Sequence, residues 1–178
     1  MIVNITQSFR KLSARRMNKN KPVVLFDIDY TLFDTANFKE SGLLDHQIYK
    51  EVIEVLENLK DIAILGIFSE GDLDFQNQKL IKTDIKKYFN EIHTHIVVNK
   101  VNEIKRVFEK YKDSKIFLID DKLSILSELK NFMPLVFGIW IKRGWFADNQ
   151  KPIEGFEPDA TVDNLQEIVK IIKNNLAI

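Results

Sequence analysis

Short apolar runs recur along the chain, and polar residues directly follow most of them. Continuous segments of Val, Ile, Leu and Phe are typical of strands in a parallel sheet that is covered on both faces. Between these runs, apolar residues recur at helical spacing. The pattern predicts strands over residues 23–26, 62–68, 96–98, 116–119, 135–141 and 160–162. It predicts helices over residues 47–59, 75–88 (as one helix or two), 101–111, 124–130 and 163–172, the last with Asp163 as its cap.

The alternation of strand and helix predicts an α/β fold, a Rossmann-like three-layer sandwich with a central parallel sheet. We expect residues 22–178 to form a single domain, preceded by a basic arm over residues 1–21. The arm is rich in Lys and Arg and contains no acidic residue, a composition that also resembles a transit peptide or an attractor of phosphate-rich partners. We favour an arm that packs on the domain.

Composition narrows the function classes. Lys and Arg total 26 and Asp and Glu total 26, so net charge favours neither a nucleic-acid nor a membrane partner, and nucleic acid stays an open question. The chain has no cysteine, which excludes disulfides, zinc thiolates and thiol nucleophiles. It also lacks a glycine-rich nucleotide loop and an apolar stretch long enough to span a membrane. We expect a cytoplasmic protein, in which side chains and strand-end amides would have to bind any phosphate group.

Chemically useful side chains stand where the predicted strands end. Asp27 and Asp29 follow the first strand, and their spacing points both carboxylates the same way along an extended backbone. Two such carboxylates repel each other unless a cation or a shared proton intervenes. Ser69 and Lys100 follow the second and third strands, and the pair Asp120-Asp121 follows the fourth. Because ligands of open α/β sheets bind beyond the carboxyl ends of the strands, these residues predict a joint metal and anion site.

This set of groups suits the transfer of a phosphoryl group. Asp27 is the candidate nucleophile, and Asp29 is the candidate acid and base for the leaving group and the attacking water. Mg²⁺ prefers oxygen ligands, and the candidate ligands are Asp27, Asp29 through its carbonyl, Asp120 and, as an alternative or a support, Asp121. The candidate phosphate-binding residues are Ser69, Lys100, Thr31 and Glu70, and Thr31 is also expected to steady the Asp29 carboxylate.

The sequence DIDYTLFDT, with the later Ser69, Lys100 and Asp120-Asp121, resembles the motifs of the haloacid dehalogenase (HAD)-like superfamily of phosphohydrolases. The resemblance covers about residue 23 to the end of the chain and implies a HAD-like catalytic domain. The acid at Asp29 implies phosphoryl transfer, because the dehalogenases of that superfamily lack an acid there. Tyr30 stands where Gly is often found. The short intervals between motifs leave no room for a sizeable cap domain, so a minimal-cap type with an open site is implied.

Structural roles compete with the functional ones. Asp27 by itself is also typical of a turn, Ser69 and Asp121 of helix caps, and Lys100 of a solvated lysine. His93 and His95 lie two apart, but without a third ligand nearby a metal role is disfavoured. Candidate residues for the rim of the site are Phe33, Phe38, Trp145 and Phe146, with Lys142 and Arg143 supplying charge.

The leading functional hypothesis is a Mg²⁺-dependent phosphatase that hydrolyses a phosphate monoester through an aspartyl-phosphate on Asp27. One alternative is a phosphotransferase of the same superfamily, in which an acceptor alcohol replaces water. Another is a phospho-accepting or binding module without turnover, although such receiver domains place their motifs in a different order. An open site suits a bulky phosphorylated partner, a macromolecule included, or a neighbouring subunit that closes it.

Overall fold

The computed structural model describes residues 21–178, which build a six-stranded sheet with every strand parallel to its neighbours. The strands follow one another in the order β3-β2-β1-β4-β5-β6 across the sheet. The strands are β1 (Val23–Phe26), β2 (Ile64–Glu70), β3 (Thr94–Val97), β4 (Ile116–Asp120), β5 (Phe137–Ile141) and β6 (Ala160–Val162). The strand order reverses between β1 and β4, which is the place where doubly wound sheets open a crevice for ligands.

Helices connect the strands and cover both faces of the sheet. They are α1 (Thr35–Glu40), α2 (Val52–Leu59), α3 (Leu73–Lys82), α4 (Lys100–Phe108), α5 (Leu123–Phe132), α6 (Gly144–Asn149) and α7 (Gln166–Leu176). Short 3₁₀ turns add Lys86–Tyr88, Glu91–His93 and Glu109–Tyr111. The predicted α/β Rossmann-like fold with a central parallel sheet is confirmed.

The side chains of β1 alternate between two apolar layers. Val24 and Phe26 belong to the layer that α2, α3 and α7 cover, whereas Val23 and Leu25 belong to the layer under α4 and α5. Phe26 and Leu25 are fully buried. Each side chain of this size contributes about 1.5–3 kcal/mol on burial, so β1 is anchored from both sides.

The strand register places the polar strand ends side by side. Phe26 pairs with Ile67 of β2 and with Ile119 of β4. Asp27, the next residue, donates its backbone N–H to the carbonyl of Ile119 at 2.9 Å. The carboxyl ends of β1 and β4 therefore meet at Asp27 and Asp120.

Several predicted boundaries differ from the structure. The second strand runs two residues later than predicted and includes Ser69 and Glu70. The last helix begins at Gln166, and its N-cap position is Leu165, so the prediction that Asp163 caps it is wrong. Helices α1 and α6 were not predicted, because each has six residues and too few apolar positions to show a period.

The predicted basic arm lies outside the described residues except for Lys21, whose ammonium donates to the carbonyl of Asp61 at 2.8 Å. Across residues 21–178, every helix is too short or too polar to traverse a lipid bilayer.

Candidate active site

A buried lysine links two of the predicted carboxylates. Lys100 is the first residue of α4, and its Nζ lies 2.6 Å from Asp27 Oδ1 and 2.6 Å from Asp120 Oδ2. Lys100 and Asp120 are essentially inaccessible to solvent, and Asp27 is 4% exposed. Burial acts to lower the pKa of Lys100, but the carboxylates of Asp120 and Asp27 raise it above its ordinary value. The lysine is therefore a fixed positive charge at the end of the sheet and not a solvated surface group.

Asp27 keeps one oxygen available for chemistry. Its Oδ1 accepts the hydrogen bond from Lys100, while no side chain among residues 21–178 engages Oδ2. Burial raises the pKa of the Asp27 carboxyl to about 6, against the opposing pull of the Lys100 ammonium. Asp27 also lines a cavity of about 370 Å³ at the carboxyl ends of the strands. A carboxylate oxygen thus faces a space in which a substrate fits.

Asp121 carries a buried carboxylate whose two oxygens have no hydrogen-bond partner in the described structure. Burial, together with the charges of Asp27 and Asp120, raises the pKa of Asp121 to about 9. The position before α5 that caps a helix is Lys122, so the alternative that Asp121 caps this helix is wrong. An unpartnered buried carboxylate is costly, which calls for a bound cation or a proton at this point.

The residues present fit a magnesium ion. Carboxylate oxygens of Asp27, Asp120 and Asp121 lie within 4.8 Å of one another, and all three residues are buried. Oxygen ligands are those that Mg²⁺ prefers, and one or two protein carboxylates plus substrate oxygens and waters complete its usual shell. The carboxylate of Asp29 lies outside this group, so its predicted metal role is limited to its backbone carbonyl.

Ser69 and Thr31 both have buried hydroxyl groups without a hydrogen-bond partner in the described structure. Leaving such a group unpaired costs about 1–3 kcal/mol. The residue that caps α3 is Asp72, whose carboxylate accepts from Phe75 N at 2.8 Å, so the alternative that Ser69 caps this helix is wrong. Ser69 is the penultimate residue of β2, the strand beside β1, and its unpartnered hydroxyl fits the predicted role of a donor to phosphate. The predicted role of Thr31 in phosphate binding stays a prediction.

Three residues other than Thr31 hold the Asp29 carboxylate, so the prediction that Thr31 steadies it is wrong. Thr35 Oγ1 donates to Asp29 Oδ1 at 2.7 Å, and Gln76 Nε2 donates to Oδ2 at 2.7 Å. Lys79 Nζ reaches both oxygens, at 2.6 and 2.8 Å. Burial acts to raise the pKa of Asp29, but the Lys79 ammonium and these hydrogen bonds hold it below its ordinary value.

The Glu70 carboxylate has a structural role. Its Oε2 accepts the backbone N–H of Lys100 at 2.9 Å, and its Oε1 lies 3.6 Å from Lys122 Nζ. The carboxylate therefore fixes the start of α4, which orients Lys100. Because an anionic side chain repels phosphate, the predicted phosphate contact of Glu70 would involve its backbone, and it stays a prediction.

Comparison with known proteins places the chain in a family. Residues 2–130 match the family described as "Protein of unknown function (DUF705)". The chain belongs to this family. No curated protein matches the chain.

Solved structures share the fold. A protein of Burkholderia xenovorans LB400 described as a HAD-like hydrolase has a TM-score of 0.74 at 20% identity, covering 88% of this chain and 99% of its own. A protein described as a phosphatase, from Clostridium difficile, has a TM-score of 0.67 at 20% identity, covering 86% and 99%. A HAD hydrolase of Bacillus subtilis bound to magnesium has a TM-score of 0.66 at 14% identity, covering 86% and 99%. The fold of this DUF705 member is therefore HAD-like.

Only part of the predicted rim lies at the cavity. Phe38 and Phe146 line it, whereas Phe33 is buried in the apolar core. Trp145 is 58% exposed and is not among the lining residues. The side chains that line the cavity are those of Asp27, Asp29, Tyr30, Thr35, Phe38, Lys39, Leu43, Glu70, Phe75, Lys79, Asp121, Lys122 and Phe146.

The two basic candidates after β5 serve other contacts. Arg143 forms an ion pair with Glu51, donates to the carbonyl of Thr31 at 3.1 Å and stacks 3.8 Å from the ring centre of Tyr49. Lys142 lies over the ring of Trp140 at 5.6 Å. The prediction that they supply charge at the rim is wrong, because Lys39, Lys79 and Lys122 line the cavity in their place.

The histidine pair lies away from the site. His93 Nδ1 and His95 Nε2 each lie 2.9 Å from the hydroxyl of Tyr111. His95 lies in β3, which β2 separates from β1, and His93 directly precedes β3. Among residues 21–178, the acidic cluster of Asp27, Asp120 and Asp121 is the group with metal-binding geometry, so a metal role for these histidines has no support.

Gln76 and Lys79 are the site residues that sequence reasoning missed. They lie one helical turn apart on α3, on the face that also buries Leu80. A polar pair on the buried face of an amphipathic helix is the signal that could have found them.

Proposed function

We propose that the protein is a Mg²⁺-dependent phosphatase of minimal-cap HAD type, which hydrolyses a phosphate monoester through an aspartyl-phosphate on Asp27. The observation that carries the proposal is the convergence of Asp27, Lys100, Asp120 and Asp121 at the carboxyl ends of adjacent strands, beside a cavity that Asp27 and Asp121 line. The HAD-like fold of hydrolases and phosphatases supports the same reading.

In the first step, Asp27 Oδ2 attacks phosphorus, and the bond from phosphorus to the alcohol oxygen breaks. The Lys100 ammonium holds Oδ1, which turns Oδ2 toward the cavity, and it offsets the negative charge that accumulates on the phosphoryl oxygens. The Ser69 hydroxyl donates to one of those oxygens. The leaving alkoxide takes a proton, and Asp29 is the acid that delivers it.

In the second step, water attacks phosphorus of the aspartyl-phosphate, the bond from phosphorus to Asp27 Oδ2 breaks, and Asp29 removes the proton of the water. The ion pair with Lys79 holds the pKa of Asp29 below its ordinary value, which suits this role as a base. The proton that Asp29 delivers in the first step therefore enters with the substrate, as the monoanion of the phosphate ester, and Asp29 returns to its ionised form when the proton taken from water leaves with the phosphate product. Lys79, Gln76 and Thr35 act through Asp29 by fixing the direction of its carboxylate.

Asp27, Asp120, Asp121 and the Asp29 carbonyl are the groups that would hold Mg²⁺. When bound, the ion neutralises negative charge on the phosphoryl group and orients it. Its presence also relieves the repulsion among the three buried carboxylates. The role of these residues is to place their oxygen atoms together at one point of the sheet.

The test is phosphate release from p-nitrophenyl phosphate with MgCl₂, and again after chelation with EDTA. We expect Mg²⁺-dependent turnover that Asp27→Asn abolishes, while Asp148→Asn, an exposed acid on α6, retains it. Phosphate passed to an added alcohol in preference to water would indicate a phosphotransferase. A labelled Asp27 that persists without turnover would indicate a phospho-accepting module and would contradict the proposal.

A further inference from the structure

The cavity in front of Asp27 has an aromatic wall. Tyr30 comes from the segment after β1, Phe38 from α1, Phe75 from α3 and Phe146 from α6, and all four line the same space. The rings of Phe38 and Phe75 lie 6.0 Å apart at a tilt of 49°. Four separate segments thus supply flat apolar surface next to the carboxylates.

Part of this wall is open to solvent. Phe75 is 42% exposed and Leu43 is 55% exposed, whereas Phe38 behind them is 3% exposed. A flat ring that covers Phe75 would remove apolar surface from water and gain the further attraction between aromatic rings. The wall therefore fits the face of a planar ring better than a polar or hydrated group.

Two lysines border the wall and favour an anionic ligand. Lys39 Nζ donates to the Tyr30 hydroxyl at 3.1 Å and lies 5.4 Å from the centre of its ring. Lys122 Nζ lies 4.9 Å from the centre of the Phe146 ring. An anion that enters the cavity passes these ammonium groups. Of the acidic residues that line it, Asp27 and Asp121 lie where the proposed metal and phosphoryl group bind, whereas Asp29 is paired with Lys79 and Glu70 with Lys122.

The volume of the cavity favours a small substrate over a macromolecular one. Small-molecule sites occupy about 300–1,000 Å³, and this cavity measures about 370 Å³. Resting on the proposed function, we propose that the substrate is a small phosphate monoester whose alcohol part carries a planar aromatic ring, and that this ring stacks on the wall of Phe75 and Phe146.

The first experiment compares benzyl, cyclohexylmethyl and propyl phosphate. All three release a primary alcohol, so their chemical steps are similar, and they differ in flatness and size. We expect kcat/KM to be about 3- to 10-fold higher for benzyl than for cyclohexylmethyl phosphate, which matches the strength of aromatic pairs. Equal values for the two would overturn the proposal.

Variants locate the effect on the wall. Phe75→Ala and Phe146→Ala should each lower the ratio of kcat/KM for benzyl over propyl phosphate by about 3- to 10-fold. Ile81→Ala and Asp148→Ala, at exposed positions of the same two helices, should leave that ratio unchanged. A ratio that none of the variants changes would place the ring elsewhere and overturn the proposal.

Binding separates this inference from the proposed function. Benzylphosphonate should bind the wild-type protein more tightly than propylphosphonate by calorimetry, and Phe75→Ala should remove the difference, whether or not any ester is hydrolysed. Turnover without this preference would overturn the inference alone, and the preference without turnover would overturn the proposed function alone.

Two kinds of phosphate ester carry such an aromatic ring, and turnover measurements distinguish them. A nucleoside 5′-monophosphate places the ring beyond a sugar, and O-phosphotyrosine places it directly on the phosphate oxygen. If one of these two small molecules is hydrolysed faster than the other, the result supports the inference and identifies the source of the ring. Faster turnover of a phosphopeptide or a 5′-phosphorylated oligonucleotide than of both would favour a macromolecular partner and overturn it.

Discussion

At the scale of single residues, the site depends on a lysine that solvent barely reaches. Lys100 pairs with Asp27 and Asp120, and together the three residues bury more negative than positive charge. Charges in such a place are tolerated only when paired, since each loses its hydration. Removing the lysine leaves two buried carboxylates facing each other.

We expect Lys100→Met to lower the free energy of unfolding by about 3–5 kcal/mol, the usual cost of breaking a buried pair by removing one partner. Urea unfolding followed by circular dichroism measures this. Lys105→Met, at an exposed position of the same helix, is the matched control and should cost less than about 0.5 kcal/mol. Similar midpoints for the two variants would mean that the pairing does not stabilise the fold.

Asp121 predicts a pH-dependent response to magnesium. Its folded pKa is about 9, above its ordinary value of 3.8, because burial disfavours the charge. A raised carboxyl pKa means that stability falls as pH rises between those two values. With EDTA present, Asp121→Asn should therefore be more stable than wild type at pH 8.5, by about 1–3 kcal/mol, and the gap should shrink at pH 5.5.

Magnesium should make wild type more stable than Asp121→Asn, because the ion binds the native state and relieves the repulsion among the buried carboxylates. Differential scanning fluorimetry at pH 8.5 should show that MgCl₂ raises the Tm of wild type more than that of Asp121→Asn. Equal shifts in the two proteins would exclude Asp121 from the metal site.

The positions of the chemical residues along the chain could be predicted because parallel strands end at a common edge. Asp27, Lys100 and Asp120 lie at or just after the ends of different strands and meet in space. Side-chain partners could not be predicted in the same way. Thr31 lies closer in sequence to Asp29 than Lys79 does, yet the packing of a helix decides which of them reaches the carboxylate.

At the scale of elements, α3 positions the carboxylate of Asp29, the proposed acid and base. Gln76 and Lys79 lie on the buried face of α3 and donate hydrogen bonds to Asp29. Asp72 caps the start of the helix. Since the helix is anchored in the core through Leu80, the direction of the Asp29 carboxylate depends on how α3 packs.

We expect Lys79→Met to lower kcat by roughly 10- to 100-fold with a smaller change in KM, because small misplacements of a catalytic group are costly. The substrate is propyl phosphate, whose poor leaving group needs the proton. Lys82→Met, exposed on the same helix, should leave both constants unchanged. A larger effect on KM than on kcat would assign Lys79 to substrate binding.

Element type could be predicted better than element length. Strands and helices with strong apolar periods were predicted within a few residues, whereas α1 and α6 were missed because tertiary contacts and not periodicity define them. Both short helices contribute to the cavity, through Phe38 and Phe146. The least predictable elements are thus the ones that shape the proposed substrate site.

At the scale of the whole molecule, Tyr30 joins two loops that are distant in sequence. Its backbone has a positive φ of 57°, and its ring lies against Gly144 at the start of α6. A Cβ at Gly144 would lie 2.0 Å from the Tyr30 ring, and Gly144 itself has a φ of +68°. The site therefore requires glycine at 144 because tyrosine occupies position 30.

We expect Gly144→Ala to lower the free energy of unfolding by more than Gly155→Ala does. Gly155 has a φ of +73° with no atom within 4 Å of an added Cβ, so its variant measures the backbone cost alone, about 1–3 kcal/mol. The difference between the variants measures the clash with Tyr30. Adding Tyr30→Gly to Gly144→Ala should recover most of this difference, and a strictly additive double variant would mean that the contact is not the cause.

Because β1 lies in the middle of the sheet, one of its edges stays unpaired during part of synthesis. Its two neighbours in the sheet are β2 and β4, and β4 ends at Asp120. Because translation adds about 5–20 residues per second, one edge of β1 waits roughly 5–20 s for its partner. During that interval the hydrogen-bonding groups of Val23 and Leu25, which face the position of β4, offer a template to any extended peptide nearby, and early chaperone engagement would protect the nascent chain at this strand.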